Sequence, residues 1–169
     1  MRTCREDEIV ISALPEDDLA RIRSNCIDDF GNVLVPRVDE AGGSPLRCCL
    51  RESSPGELIT LLAYRPFPWA GPYAEVGPVF CHARACAGYS TPGLYPPEFA
   101  HRRQLLRAYD HDQRICQGIQ AKDGQQALEL LIWMLSSDDV AFVHSRNVEW
   151  GCYMFSASRA SALQVRKSM

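Results

Sequence analysis

The sequence predicts an α+β fold, in which helices cover a mainly antiparallel sheet built from hairpins. Strand-like apolar runs outnumber helical ones, and short turn sequences rather than long crossovers separate most of them. The 169 residues suffice for one domain, and 46% hydrophobic with 23% charged residues is the balance of a globular protein. We therefore expect a single domain over residues 1–157, followed by a polar tail over 158–169 that frays.

Two helices are predicted, a short one near the N-terminus and a buried apolar one packed on the sheet. Pro15 opens the first, over 15–23, because its missing N–H needs no partner there. Asp123 caps the second, over 124–135, whose surface is apolar on nearly all sides and requires deep burial. We expect Leu128, Leu131 and Leu135 to lie in the core.

The remaining apolar runs are interpreted as strands. Pro55 and Gly56 form a turn between two of them, which predicts that 46–51 and 57–64 pair as an antiparallel hairpin. Two loops rich in proline and aromatic residues, 65–72 and 89–97, are expected at the surface, where such loops can line a binding mouth. The other predicted strands cover 9–14, 33–38, 76–83, 105–109, 114–119, 140–144 and 151–157.

Charge and composition exclude some classes of partner. A net charge of −3 leaves no positive excess for a nucleic-acid backbone, and no apolar run approaches the ~18 residues of a membrane span. The N-terminal residues lack the apolar segment of a secretion signal, which predicts a cytoplasmic protein. Eight cysteines without a Cys-x-x-Cys motif are then expected to be mostly free thiols.

Cys49 is the candidate nucleophile. In a strand over 46–51, Arg47, Cys49 and Arg51 share one face, whereas Cys48 points into the core between two leucines. Two neighbouring guanidiniums favour the thiolate, so we expect Cys49 to be the most reactive thiol and, with His82, a candidate catalytic residue. The alternative is a half-buried cysteine beside two solvated arginines.

His82 and Cys86 offer a different chemistry. Cysteine and histidine are zinc ligands, and these two side chains can converge on one ion if the chain turns after its strand. Cys49, Cys152 or His144 would have to supply the further ligands. Because no second closely spaced pair exists, the sequence predicts no metal or other cofactor. His82 is then expected to be a hydrogen-bonded core histidine beside free thiols, and a metal site at His82 and Cys86 is the alternative.

Scattered polar residues in the predicted strands could form an anion pocket. Arginines bind carboxylate or phosphate and tyrosines donate hydrogen bonds, which makes a small anionic molecule the expected partner. The alternative is a set of cross-strand ion pairs, such as Glu57 with Arg47. The predicted ligand-binding residues are Arg47, Tyr73, Glu75, Arg107 and Arg146, and the wider polar set adds Glu57, Tyr64, Tyr109 and Tyr153.

An ordered set of short motifs resembles an uncharacterised family of small bacterial proteins, the domain of unknown function DUF1203. The resemblance covers roughly residues 9–157. It implies a grouping at the level of the fold and carries no activity. The motifs are Pro45-Leu46-Arg47-Cys48-Cys49-Leu50, Pro55-Gly56-Glu57, Leu61-Leu62-x-Tyr64, Pro72-Tyr73, Gly77-Pro78-Val79-Phe80, Leu106-Arg107-Ala108-Tyr109-Asp110, 140–144 and Gly151-Cys152-Tyr153.

Three functions follow from these observations. The first is a protein that binds a small anionic molecule, either with or without transforming it. The second is an interaction module that uses the two proline-rich loops, and the third is a thiol and histidine metal-binding protein. Nucleotide-binding glycine loops and the common hydrolase motifs are absent from the sequence, so no reaction type, substrate or oligomeric state is predicted.

Overall fold

Two five-stranded sheets and two α-helices make up the part of the chain that the structure, a computed structural model, describes: residues 4–161. The helices are α1 (Glu16–Asn25) and α2 (Gly124–Leu135). The strands are β1 (Ile9–Ser12), β2 (Arg37–Asp39), β3 (Pro45–Leu46), β4 (Arg51–Glu52), β5 (Glu57–Tyr64), β6 (Gly77–His82), β7 (Gln104–Asp110), β8 (Ile115–Ala121), β9 (Val140–Asn147) and β10 (Tyr153–Arg159).

The first sheet has the strand order β1-β10-β9-β7-β8, and every neighbouring pair is antiparallel. Helix α2 packs on one face, where Leu131 and Leu135 join Leu106, Val143 and Phe155 in the largest core cluster. The opposite face carries polar and aromatic side chains, because register pairs Arg107 with His144 and Tyr109 with Phe142. This sheet therefore has one sealed face and one face available for a site.

The second sheet has the strand order β2-β5-β6-β3-β4. Its long pair is antiparallel β5 and β6, and the contact between β3 and β6 is parallel. Leu19 and Ile22 of α1 pack against its buried residues, which include Ile59 and Val79. Two helices on mostly antiparallel sheets confirm the predicted α+β class.

The predicted hairpin of 46–51 with 57–64 is wrong. Residues 47–50 form a turn in which the Leu50 N–H donates to the Leu46 carbonyl, and the short strands on either side of it pair with each other. Strand β5 pairs instead with β2 and β6. Residues 46–51 contain four apolar side chains in six positions, a pattern that suits a strand and a buried turn equally well. The prediction of a strand was wrong because the pattern does not distinguish the two.

Other boundaries shift by smaller amounts. The Gln126 N–H donates to the Asp123 side chain, so the predicted cap of α2 is confirmed. Leu128 is only half-buried and Trp133 is 51% exposed, which makes this helix less deeply packed than predicted. The strand expected over 33–38 is reduced to Arg37–Asp39, and β10 continues to Arg159. Residues 162–169 of the predicted tail lie outside the described residues.

Among residues 4–161, no helix is long and apolar enough to cross a membrane.

Candidate functional site

The turn over residues 47–50 brings two adjacent cysteines to the same side of the chain. In a strand, successive side chains point to opposite faces, whereas successive residues of a helical turn are only about 100° apart. Leu50 closes the turn with a φ of 55°, a left-handed conformation that costs a branched residue about 1–2 kcal/mol. Cys48 and Cys49 consequently point toward the end of β6.

Three thiols and one imidazole gather at this end of β6. The cluster, called here the Cys/His cluster, consists of Cys48, Cys49, His82 and Cys86, whose ligand atoms all lie within 4.8 Å of one another. Cys48 Sγ is 3.9 Å from Cys49 Sγ and 3.4 Å from His82 Nδ1. Cys49 Sγ is 3.8 Å from the same nitrogen. Cys48 is buried, and the other three residues are half-buried.

Glu57 and Arg51 hold the far side of the His82 ring. His82 Nε2 is 3.4 Å from Glu57 Oε1 and 2.9 Å from Arg51 Nη2. Arg51 also binds both oxygens of Glu57, and the Ser54 N–H donates to the same carboxylate. The Arg51 guanidinium is the main cause that lowers the pKa of Glu57 to about 2. The imidazole is thus oriented by a carboxylate that stays ionised.

The cluster favours one thiolate, at Cys48. Hydrogen bonds with the Cys49 and Cys81 thiols, and the one that the His82 backbone N–H donates, lower the pKa of Cys48. The hydrogen bond to Cys48, together with burial, raises the pKa of Cys49. Burial is the main cause that raises the pKa of Cys86. The thiolate form is therefore favoured at Cys48 over Cys49 and Cys86.

The reasoning that singled out Cys49 is wrong in one respect. Cys49 does not lie between two guanidiniums, because only the Arg51 charge is among the influences on its thiol. Arg47 is 3% exposed, and its Nε donates to the Tyr153 carbonyl at 2.8 Å, across to the first sheet. Arg47 therefore ties the two sheets together. Catalytic roles for Cys49 and His82 stay predictions.

The predicted anion-binding residues come together only in part. Glu75 Oε1 is 2.6 Å from Arg107 Nη1, and Glu75 Oε2 is 2.6 Å from Arg146 Nη1. These three side chains lie on the face of the first sheet opposite α2. Because Glu75 pairs with both arginines, its carboxylate neutralises part of their positive charge. Tyr73 is exposed and Arg47 lies elsewhere, which leaves ligand binding by the five residues a prediction.

The loop over 65–72 lines a cleft, whereas the loop over 89–97 does not. Residues 65–69 form one wall of a cleft of about 960 Å³ on the polar face of the first sheet. Tyr89 and Tyr95 pack instead against the core beneath α2, and the Tyr95 ring centroid is 5.7 Å from that of Phe155. The loop over 89–97 therefore packs on the hydrophobic core and does not contribute to the cleft.

The sequence did not reveal two features: the contact of Cys48 with His82 and the position of His144 in the floor of the cleft. Cys48 is buried in the core of the second sheet, as predicted, but a strand over 46–51 does not place it beside His82; the adjacent Cys48-Cys49 pair was the available signal. Cys152 and His144, considered as further ligands, lie outside the Cys/His cluster. His144 is buried in the cleft floor, where it contacts aromatic rings. Seven cysteines are free, as expected: Cys26, Cys48, Cys49, Cys81, Cys86, Cys116 and Cys152.

The fold and the cluster define an α+β protein of two mainly antiparallel sheets with a Cys/His site at one strand end. A family model described as "Protein of unknown function (DUF1203)" matches residues 43–159. The chain therefore belongs to the DUF1203 family, which confirms the resemblance inferred from the motifs. No curated protein and no solved structure matches the chain. The matched segment contains the whole Cys/His cluster.

Proposed function

We propose that the protein binds one zinc ion through Cys48, Cys49, His82 and Cys86. The observation that carries this proposal is the convergence of four ligand atoms within 4.8 Å of one another. Three thiolates with one imidazole form one of the common ligand sets of structural zinc. A metal-binding function was the third of the functions that followed from the sequence. We now favour it because the turn over 47–50 brings Cys48 and Cys49 beside His82.

The distances among the ligand atoms of Cys48, Cys49 and His82 are close to the edge lengths of a zinc tetrahedron. Zinc bonds of about 2.3 Å to sulfur and about 2.05 Å to nitrogen place ligand atoms about 3.8 Å apart for two sulfurs and about 3.6 Å apart for sulfur and nitrogen. The corresponding distances are 3.9 Å between Cys48 Sγ and Cys49 Sγ, and 3.4 Å and 3.8 Å from these sulfurs to His82 Nδ1. These three side chains need little movement to accept an ion, and Cys86 Sγ lies within 4.8 Å of each of their ligand atoms.

Glu57 supplies the outer support that such a site requires. A metal at His82 Nδ1 needs the nitrogen lone pair, which places the ring proton on Nε2, where Glu57 Oε1 is 3.4 Å away. Arg51 Nη2, another donor, must then move from its 2.9 Å contact with Nε2. Arg51 retains its hydrogen bonds to Glu57 when it does so.

Positive charge beside the cluster suits the charge of the loaded site. Three thiolates around Zn²⁺ leave one net negative charge. Arg51 lies beside Cys49, and Arg23 binds the His82 carbonyl with two nitrogens at 3.3 Å. A reducing compartment, such as the predicted cytoplasm, would keep the thiols available for metal.

Four protein ligands leave no open position, which makes a structural role more favourable than metal catalysis. The ion would fasten the turn over 47–50 to the end of β6 and the segment that follows it. A nucleophilic role for Cys49 with His82 is the second candidate, supported by the 3.8 Å distance between Cys49 Sγ and His82 Nδ1 and by the half-buried position of Cys49. Metal content distinguishes the two functions.

The test is metal analysis of untagged protein purified without chelator. We expect about one zinc per chain in the wild type. Cobalt added to the metal-free protein should give the visible bands of a tetrahedral ion and the ultraviolet band of thiolate-to-cobalt charge transfer. Cys86→Ser and His82→Ala should weaken zinc binding by at least about tenfold in a competition with a chromophoric chelator.

The matched control is Cys116→Ser, because Cys116 is an exposed thiol on β8 outside the cluster. This variant should keep one zinc per chain. The proposal fails if the wild type contains less than about 0.1 metal per chain and takes up no cobalt or zinc, or if Cys86→Ser binds zinc as tightly as the wild type.

A further inference from the structure

A large cleft lies on the face of the first sheet that α2 leaves uncovered. Its volume is about 960 Å³, at the upper end of the range for small-molecule sites. It is distinct from the Cys/His cluster, since none of the four cluster residues lines it. Six aromatic side chains line it: Phe30, Tyr64, Phe67, Trp69, Phe142 and Tyr153.

His144 is an unpaired polar residue in the floor of this cleft. It is 2% exposed, and its Nδ1 has no hydrogen-bond partner among residues 4–161. Its ring lies 4.9 Å from Phe67, 5.0 Å from Phe142 and 5.1 Å from Tyr153, measured between centroids. A buried polar atom without a partner costs about 1–3 kcal/mol, and such a cost is typical of sites that serve a ligand.

The charged side chains that line the cleft are two arginines and two aspartates, Arg65 and Arg159 with Asp18 and Asp29. Burial, with the charges of Arg146 and Arg107, lowers the pKa of His144 to about 3, so the imidazole is neutral at pH 7. At the mouth, Arg65 is exposed and forms no ion pair within residues 4–161, whereas Asp18 and Asp29 both pair with Arg21. Arg159 donates to the carbonyl groups of Leu135, Ser137 and Val140, which leaves Arg65 as the lining guanidinium without a hydrogen-bond partner among residues 4–161.

We propose that the cleft binds a small aromatic carboxylic acid, with the planar ring among the aromatic side chains and the carboxylate at Arg65. Stacked and edge-on contacts with rings such as Trp69 and Phe142 suit a planar apolar body. The unpaired Arg65 guanidinium is the natural partner for a carboxylate, which remains partly solvated at the mouth. The neutral His144 gives the ring a polar contact without placing a charge in the floor.

The opening of the cleft agrees with this orientation. Ser156 and Ser12 line one wall and are half-buried, so the apolar floor grades into a hydroxyl-lined side. A ligand with two ends of different polarity fits such a gradient better than a wholly apolar or wholly charged one. Tyr64, which precedes Arg65 in the chain, is a neutral phenol at pH 7, and burial raises its pKa further, to about 12.

The test is isothermal titration calorimetry at pH 7 with three matched probes. These are 2-naphthoate, the neutral 2-naphthylmethanol and the non-aromatic cyclohexanecarboxylate. We expect 2-naphthoate to bind with a stoichiometry of one and about fivefold tighter than the alcohol, because only the acid pairs with Arg65. Cyclohexanecarboxylate should bind at least about fivefold more weakly than 2-naphthoate, because it lacks the planar ring.

Two variants locate the binding. Arg65→Gln should abolish the preference for the acid over the alcohol, and Ser156→Trp, which fills the cleft, should abolish binding of both. Arg103→Gln is the matched control: Arg103 is half exposed, pairs with Glu149 and does not line the cleft, so its loss should leave both affinities unchanged. Circular dichroism verifies that each variant is folded.

Three results would overturn the proposal. One is the absence of saturable binding of all three probes, and another is equal affinity for acid and alcohol in the wild type. The third is unchanged 2-naphthoate affinity in Ser156→Trp, which would place the probe elsewhere. Zinc content, measured on the same samples, reports separately on the Cys/His cluster, so failure of one proposal is distinguishable from failure of the other.

Discussion

Acidification should destabilise the protein through His144. This imidazole lies between aromatic rings in the floor of the cleft, and its pKa is lowered from 6.5 to about 3 by burial and by Arg146 and Arg107. Above pH 6.5 the ring is neutral in both the folded and the unfolded chain. Between pH 6.5 and pH 3 the unfolded chain takes up a proton that the folded chain cannot accept, so the free energy of unfolding decreases as the pH falls.

The expected loss between pH 7 and pH 5 is about 2 kcal/mol, at 1.36 kcal/mol for each pH unit below 6.5. This magnitude depends little on the pKa of the folded state, because any value below about 4 keeps the folded imidazole neutral at pH 5. The assay is urea denaturation at both pH values, at micromolar protein concentration because the sequence pI is about 5.8. His144→Phe keeps a ring of similar size in the aromatic cluster and removes the titrating group.

The comparison between variants isolates this residue. His144→Phe should lose about 2 kcal/mol less than the wild type on acidification. His101→Gln is the control, because it removes an imidazole that is 64% exposed and lies outside the core, and it should behave as the wild type does. The reasoning is refuted if His144→Phe and the wild type lose the same stability between pH 7 and pH 5.

Two further predictions concern α2 and its packing. Leu131→Ala should lower the free energy of unfolding by about 2–5 kcal/mol in urea denaturation, because Leu131 is fully buried on the inner face of α2 and its truncation leaves a cavity. A loss under about 1 kcal/mol would show that the helix is peripheral. Gly124→Ala should lower the melting temperature although alanine favours helices, since the added Cβ would lie 2.6 Å from Ala100 Cα and 2.8 Å from Tyr95 Cε1. Gly118→Ala, with no atom within 4 Å of the new Cβ, is the control, and equal melting temperatures for the two variants would contradict the argument.

Local patterns in the sequence determined the elements that depend on neighbouring residues. The cap at Asp123, the acidic first turn of α1 and the hairpin of β7 with β8 follow from contacts within a few positions along the chain. The α+β class followed in turn, since short turns between strands impose antiparallel pairing. The free cysteines and the family were also predictable from residue spacing and ordered motifs.

Only the tertiary structure decided the candidate site. Residues 46–51 suit a strand or a turn equally well by their hydrophobic pattern, and long-range contacts select the turn: the Arg47 N–H donates to the Phe80 carbonyl, and the Leu14 N–H donates to the Arg47 carbonyl. That selection keeps Cys48 in the core, as predicted, and places its thiol beside His82. The position of His144, with its unpaired Nδ1, likewise results from the pairing of β9 with β7 and β10 and from the packing of Phe67 against the ring. Contacts between residues far apart in the chain leave no periodic signal in the sequence, and for this reason the chemistry of both sites emerged only from the folded chain.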